Sequence, residues 1–253
     1  MNSAQPSPPD AAIASASDGP EPTPRRSLAR RLLQLLLGLL LLALLVVAGL
    51  WLFLRLSLGQ EPGPVRMPLG SAAIPCPGPF PRQGANECGA YSLAFGIASV
   101  TGREIDPEAV VARVTNKVFW SEAASDTLPR DIVAEARREG LSGEDWSAAS
   151  GTPELRRLRL AGHLRAGRPC MVLIESDRGI QHYVLVVGID GREVHLYDPN
   201  ADPSQSDELT PDLNEERPGN RSLSHARFEE VWSAGGVLGL YRYWYFPLGR
   251  AGS

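Results

Sequence analysis

The chain has 253 residues, 43% of them hydrophobic and 21% charged, with a net charge of -4. That is the balance of an ordinary globular protein, and the length suits one or two domains. Lys and Arg are scattered, not gathered on a basic stretch, so nucleic acid is not an expected partner. Three cysteines, Cys76, Cys88 and Cys170, are too few and too widely spaced for a zinc ribbon or a disulfide-dense scaffold.

Residues 1–24 are rich in Pro, Ser, Ala and Asp and carry no apolar period. They are expected to form a disordered cytoplasmic tail. A basic cluster follows: Arg25, Arg26, Arg30 and Arg31. From Leu32 to Leu54 the chain is almost wholly apolar, with Gln34 as its one polar side chain and no charge. A bilayer core needs about 20 apolar residues in a helix. A cleaved signal peptide usually has a shorter apolar region of about 7–15 residues, and bulky Trp51, Leu52, Phe53 and Leu54 end this one. Residues 25–55 are therefore expected to be an uncleaved signal anchor with a basic flank. The arginines before the span keep the N-terminus cytoplasmic and put the rest of the chain outside the cytoplasm. Residues 56–75, rich in Pro and Gly, are read as a stalk, and residues 76–248 as one folded domain.

Within that domain, apolar Leu93, Ala94, Ile97 and Val100 predict a helix over Glu87–Val100, ended by Gly102. Asp106-Pro107-Glu108 opens a short helix to Val114. Further helices are expected over Thr127–Arg138 and from Thr152 to Ala166. Strands are expected at Cys170–Glu175, His182–Gly188, Arg192–Asp198 and Leu238–Phe246, with a last helix over Ser224–Ser233. Asn200–Ser222, with its many acids, Pro and Gly, reads as a solvated loop. Helices first and antiparallel strands later is an α+β pattern.

Cys88 lies at the predicted start of an apolar helix. The positive helix end favours a thiolate, Gly89 leaves room for a substrate backbone, and unpaired N–H groups there can bind an oxyanion. Downstream, His182 opens one strand and Asp198 closes the next, with Ile189-Asp190-Gly191-Arg192 between them as a hairpin signal. A two-residue loop at Asp190-Gly191 would set His182 opposite Pro199 and turn Asp198 to the other face. A three-residue loop, Ile189-Asp190-Gly191, sets His182 opposite Asp198 and gathers Val184, Val186, Val194 and Leu196 on one apolar face. Apolar matching selects the second register. Directly opposed residues are close enough for a His–Asp hydrogen bond that fixes the imidazole tautomer.

Glu87-Cys88-Gly89-Ala90, then His182 to Gly188, then Tyr197-Asp198-Pro199, resemble the C39-like group of papain-like cysteine peptidases, which includes the leader-cleaving domains of bacteriocin exporters. The resemblance covers roughly Cys76 to Leu248. It implies a papain-like fold with a helical first part and a C-terminal antiparallel sheet. It also implies Cys88 as nucleophile, His182 as base, Asp198 as orienter, and Gln83 as a side-chain donor to the oxyanion. Glu87 stands where many members carry Asp.

The expected activity is that of a membrane-anchored cysteine peptidase or amide hydrolase on a peptide or protein substrate, with no metal or organic cofactor. An acyl transferase on the same fold, and a catalytically inactive peptide-binding module, are the alternatives. A Cys76–Cys170 disulfide is left open by the sequence. His163 and His195 read as surface or helix-face residues, His225 as exposed, and Trp120, Trp146, Trp232 and Trp244 as core or cleft-wall residues.

Overall fold

A computed structural model describes residues 28–57, 70–114, 116–117, 125–176, 180–201, 218–236 and 240–250. The expected N-terminal tail, residues 58–69 of the stalk, Trp120 and most of the Asn200–Ser222 loop lie outside these residues. The chain divides into two units, residues 1–49 and 50–253.

Helix α1 spans Leu28–Ser57. Its stretch Arg30–Phe53, 24 residues, is long and apolar enough to cross a membrane. At 1.5 Å per residue it is about 36 Å long, against a hydrocarbon core of about 30 Å. Its large apolar side chains lie open, Leu36 at 64% and Phe53 at 67% exposure.

In the second unit β1 (Ala72–Ala73) precedes α2 (Cys88–Thr101) and α3 (Pro107–Val114). Short strands β2 (Asn116–Lys117) and β3 (Ser125–Asp126) pair with each other, and α4 (Pro129–Arg138) follows. Next come β4 (Leu141–Ser142), β5 (Trp146–Ser147), α5 (Pro153–Arg165), β6 (Cys170–Glu175), β7 (Gln181–Ile189) and β8 (Glu193–Tyr197). The chain closes with β9 (Arg221–Ser224), α6 (His225–Ser233), β10 (Trp244–Pro247) and β11 (Gly249–Arg250). The fold is α+β, as the order of sequence patterns implies.

The main sheet runs β5-β10-β6-β7-β8-β9, and every adjacent pair is antiparallel. β1 pairs with β7 beyond the end of β6, so Ala72 and Ala73, assigned to the stalk from sequence, belong to the sheet. β7 is its spine. Val184, Leu185, Val186 and Val187 are wholly buried, because β7 carries strands on both edges and helices α2 and α5 pack against it. α2 is tied to it by Ser92, whose hydroxyl donates to Tyr183 O at 3.1 Å. The helix ends at Gly102, a left-handed residue whose N–H donates to Ala98 O.

The β7–β8 register differs from the sequence reading. The turn residues are Gly191 and Arg192, flanked by the backbone bond from Asp190 N to Glu193 O. Asp190 fixes this turn, its Oδ1 accepting from the N–H groups of Arg192 and Glu193 at 2.7 and 2.8 Å. Ile189 therefore faces Val194, and Gly188 faces His195. Continued unbroken, that register would set Leu185 opposite Asp198 and turn the carboxylate away from the His182 face. A bulge at Val187 intervenes, after which Val186 faces Leu196 and Leu185 faces Tyr197. The extra residue returns His182 and Asp198 to one face, as diagonal and not direct neighbours. The expected direct pairing failed because the local turn chemistry of Asp190 outweighed apolar matching.

Gly188 borders the bulge. A Cβ there would come within 2.6 Å of Pro218 Cγ and 3.0 Å of His195 Cδ2. Gly188→Ala is expected to destabilise the domain by about 1–3 kcal/mol, read as a lower denaturant midpoint, while Gly191→Ala, with open space around its Cα, costs less.

Candidate active site

α2 presents Cys88 as its first residue. The thiol is half-buried. It opens onto a cavity of about 540 Å³ bordered by Asn86, Thr127, Leu128, Ile180, Tyr183 and Tyr241 among others. His182 hydrogen-bonds the Cys88 sulfur on one side, and its Nε2 donates to Asp198 Oδ1 at 2.7 Å on the other. His182 is 7% exposed and Asp198 is fully buried. The structure thus brings Cys88, His182 and Asp198 into one chain of contacts. With Nε2 on the carboxylate, Nδ1 is the ring nitrogen left for sulfur.

The electrostatics follow from those contacts. Burial alone would push the Cys88 thiol up, but the hydrogen bond and charge of His182 outweigh it, helped by the backbone N–H groups of Tyr183 and Gly89. The net direction is down, toward thiolate. Burial alone would lower His182, yet the charge and hydrogen bond of Asp198, then Cys88, raise it well above the usual histidine range. Burial would raise Asp198, but His182 and Arg221 hold it far below the usual carboxylate range. The two shifts act at opposite ends of the pH scale. Stabilisation from ionised Asp198 is present above the ordinary carboxylate range and fades as pH falls through the depressed value. That from charged His182 is present below about 6.5 and fades as pH rises through the elevated one.

Both carboxylate oxygens of Asp198 accept further hydrogen bonds or ion pairs. Oδ1 also accepts from Asn200 N at 2.8 Å, and Oδ2 accepts from Arg221 Nη1. Its backbone N–H donates to Asn220 Oδ1 at 2.7 Å, and its carbonyl accepts from Asn220 Nδ2 at 2.8 Å. The sequence reading missed Asn220 and Arg221 by placing them in a solvated loop. The alternation in Arg221-Ser222-Leu223-Ser224 was the available signal for β9.

Gln83 sits on the segment leading into α2. Its backbone N–H donates to Pro199 O at 3.0 Å, just past Asp198, and its side-chain Nε2 donates to Gly84 O at 3.2 Å. Tyr197 reinforces this junction. Its ring stacks on Phe95 of α2 at 4.0 Å and on Phe80 at 6.0 Å, and its hydroxyl donates to Pro81 O at 2.6 Å.

Neither Cys76 nor Cys170 forms a disulfide. Burial pushes Cys76 up to about 11, a poor nucleophile beside Cys88. Of the three remaining histidines, His163 on α5 and His195 on β8 are buried, and His225, expected to be exposed, is half-buried. His163 is buried against Tyr245. His195 is buried between Ser222 Oγ at 2.8 Å and Asp190 Oδ2 at 3.3 Å. His225 Nε2 donates to Asp190 O at 3.0 Å. The contacts of His195 and His225 pin the hairpin tip, a role carried by tertiary pairing and silent in local sequence. Trp232 and Trp244 are wholly buried in the core.

Asp198→Ala removes the partner of two buried cations at once and is expected to cost about 3–5 kcal/mol. Cys88→Ser keeps the shape of the site and should cost much less. Chemical denaturation of both variants at pH 7 checks the difference.

No family model matches the chain, and no curated protein matches it. Among solved structures it is similar to the peptidase domain of Streptococcus ComA, a bifunctional ABC transporter of a quorum-sensing pathway. The identity is 20% and the TM-score 0.46, over 68% of this chain and 96% of that one. It is also similar to a protein from Bacillus anthracis described as C39-like peptidase, at 15% identity and TM-score 0.47, over 71% of this chain and 98% of that one. A third is the Streptococcus mutans ComA peptidase domain in complex with a small-molecule inhibitor, at 17% identity and TM-score 0.37, over 67% and 97%.

Proposed function

We propose that this protein is a cysteine peptidase or related amide hydrolase, tethered by α1 with its catalytic domain outside the cytoplasm. The observation that carries the reading is the chain of contacts from a helix-start thiol through His182 to a buried, ionised Asp198. A thiol at an ordinary value is mostly protonated at neutral pH. Here the imidazolium and the first turn of α2 favour the thiolate, which is the attacking species.

In this reading Cys88 Sγ attacks a substrate carbonyl carbon lying in the adjoining cavity. The carbonyl oxygen gains the charge, and N–H groups at the start of α2, with the Gln83 side chain, stabilise it. The C–N bond breaks as His182 passes its proton to the leaving amine. Water then attacks the thioester carbon, His182 takes a proton from that water, and the acid product leaves as the thiolate–imidazolium pair is restored. Asp198 keeps the ring in one tautomer and one orientation throughout. The apolar lining from Leu128, Leu173, Ile180 and Tyr241 suits an apolar stretch of peptide.

Alkylation of the full chain by iodoacetamide tests the site without a known substrate. Cys88 is expected to react at pH 6 several-fold faster than it does in the His182→Ala variant, in line with a thiol that His182 shifts toward thiolate. Equal rates at that pH reject the triad. Sidedness has its own test. Protease added outside sealed, right-side-out membrane vesicles is expected to digest residues 76–248, and full protection overturns the proposed orientation.

A further inference from the structure

We propose that Arg221 is a positioning residue for the base: its guanidinium grips the outer oxygen of Asp198, fixing the carboxylate beneath His182 and limiting how tightly the imidazolium is held. The inference rests on the Cys88–His182–Asp198 reading and adds a fourth member to it.

The placement of Arg221 is built in several steps. Gly219 adopts a left-handed φ of +83°, and a Cβ there would stand 2.2 Å from Leu196 O. Only glycine lets the chain come this close to β8. Asn220 then donates its N–H to Leu196 O at 2.9 Å and clasps both backbone groups of Asp198. Arg221 pairs with Leu196 in the ladder, and its side chain, 11% exposed, ends on Asp198 Oδ2. His182 occupies Oδ1 of the same carboxylate. The two oxygens are thus divided between a fixed cation and a titrating one.

That division has a signed consequence. A permanent positive charge sharing the carboxylate opposes a second positive charge on the ring. It weakens the pull of Asp198 on the imidazolium and so eases proton release to the leaving group. A merely structural arginine would hold the fold and leave the ring's titration alone. The groups facing His182 are few. Cys88 faces it from α2, and Asp198 from the end of β8. Behind Asp198 lie Arg221 of β9 and Tyr197, whose burial keeps its hydroxyl protonated. Its ladder partner in β6 is uncharged Ile174.

The test is an NMR titration of ¹³C-labelled histidine in the full chain in detergent micelles. The sequence holds four histidines, and loss of one signal in His182→Ala assigns the ring. Arg221→Met is expected to raise the His182 midpoint by about one pH unit. At the pH where half the native rings are charged, about nine in ten should then remain charged. An unchanged midpoint in folded Arg221→Met overturns the proposal. If that variant does not fold, Arg221→Lys decides: it keeps the charge but not the planar fork. It is expected to titrate like the native protein while Cys88 alkylation slows at least threefold, and a native alkylation rate overturns the proposal. Failure of the underlying triad looks different: native Cys88 would then react no faster than in His182→Ala, whatever Arg221 does.

Discussion

The site depends on a parity constraint in one hairpin. Side chains alternate along a strand, so His182 and Asp198 meet only if an even offset separates them across the β7–β8 ladder. The turn set by Asp190 starts the ladder with the wrong offset, and the bulge at Val187 corrects it. No change in side-chain chemistry could substitute for that correction. Gly188, where a side chain would strike Pro218 and His195, is the position that lets the correction occur inside a crowded sheet.

Once the two residues share a face, the remaining pieces converge by packing. α2 lies on β7 and brings Cys88 to the ring, while the stack of Phe80, Phe95 and Tyr197 joins the helix, the segment before it and the strand that ends at Asp198. Tyr197 thus ties together three of the parts that carry site residues, with β7 supplying the fourth, His182. An offset-stacked aromatic pair contributes about 0.5–1.5 kcal/mol beyond its buried area. Two such contacts suffice to hold a loop against a helix end. A carboxylate with no exposure remains charged there because His182, Arg221 and the Asn200 N–H offset the cost of its burial.

Much of this was legible in the residues. The apolar run of α1, the helix ended by Gly102 and the strand Cys170–Glu175 follow from period and punctuation alone. The grouping of Cys88, His182 and Asp198 was also foreseeable, although by a register that the structure replaces with another of the same parity. What local sequence hides is pairing between distant segments. His195 looks like a polar residue on an open face until β9 supplies Ser222. Arg221 looks like a loop arginine until Gly219 brings it against β8. The acidic, Pro-rich composition between Asn200 and Arg217 drew attention away from the ordered strand that follows it. The Asp190 turn is hidden for a related reason: its side chain caps two backbone N–H groups, which apolar periodicity does not reflect.

The double clasp of Asn220 on Asp198 has a consequence for how the chain can diversify. It holds the two ends of the intervening segment together independently of what lies between them, much as a covalent crosslink would. Lengthening a closed loop is cheap, about 0.6 kcal/mol for each doubling. The number of residues between Asp198 and Asn220 can therefore change while the carboxylate stays where it is.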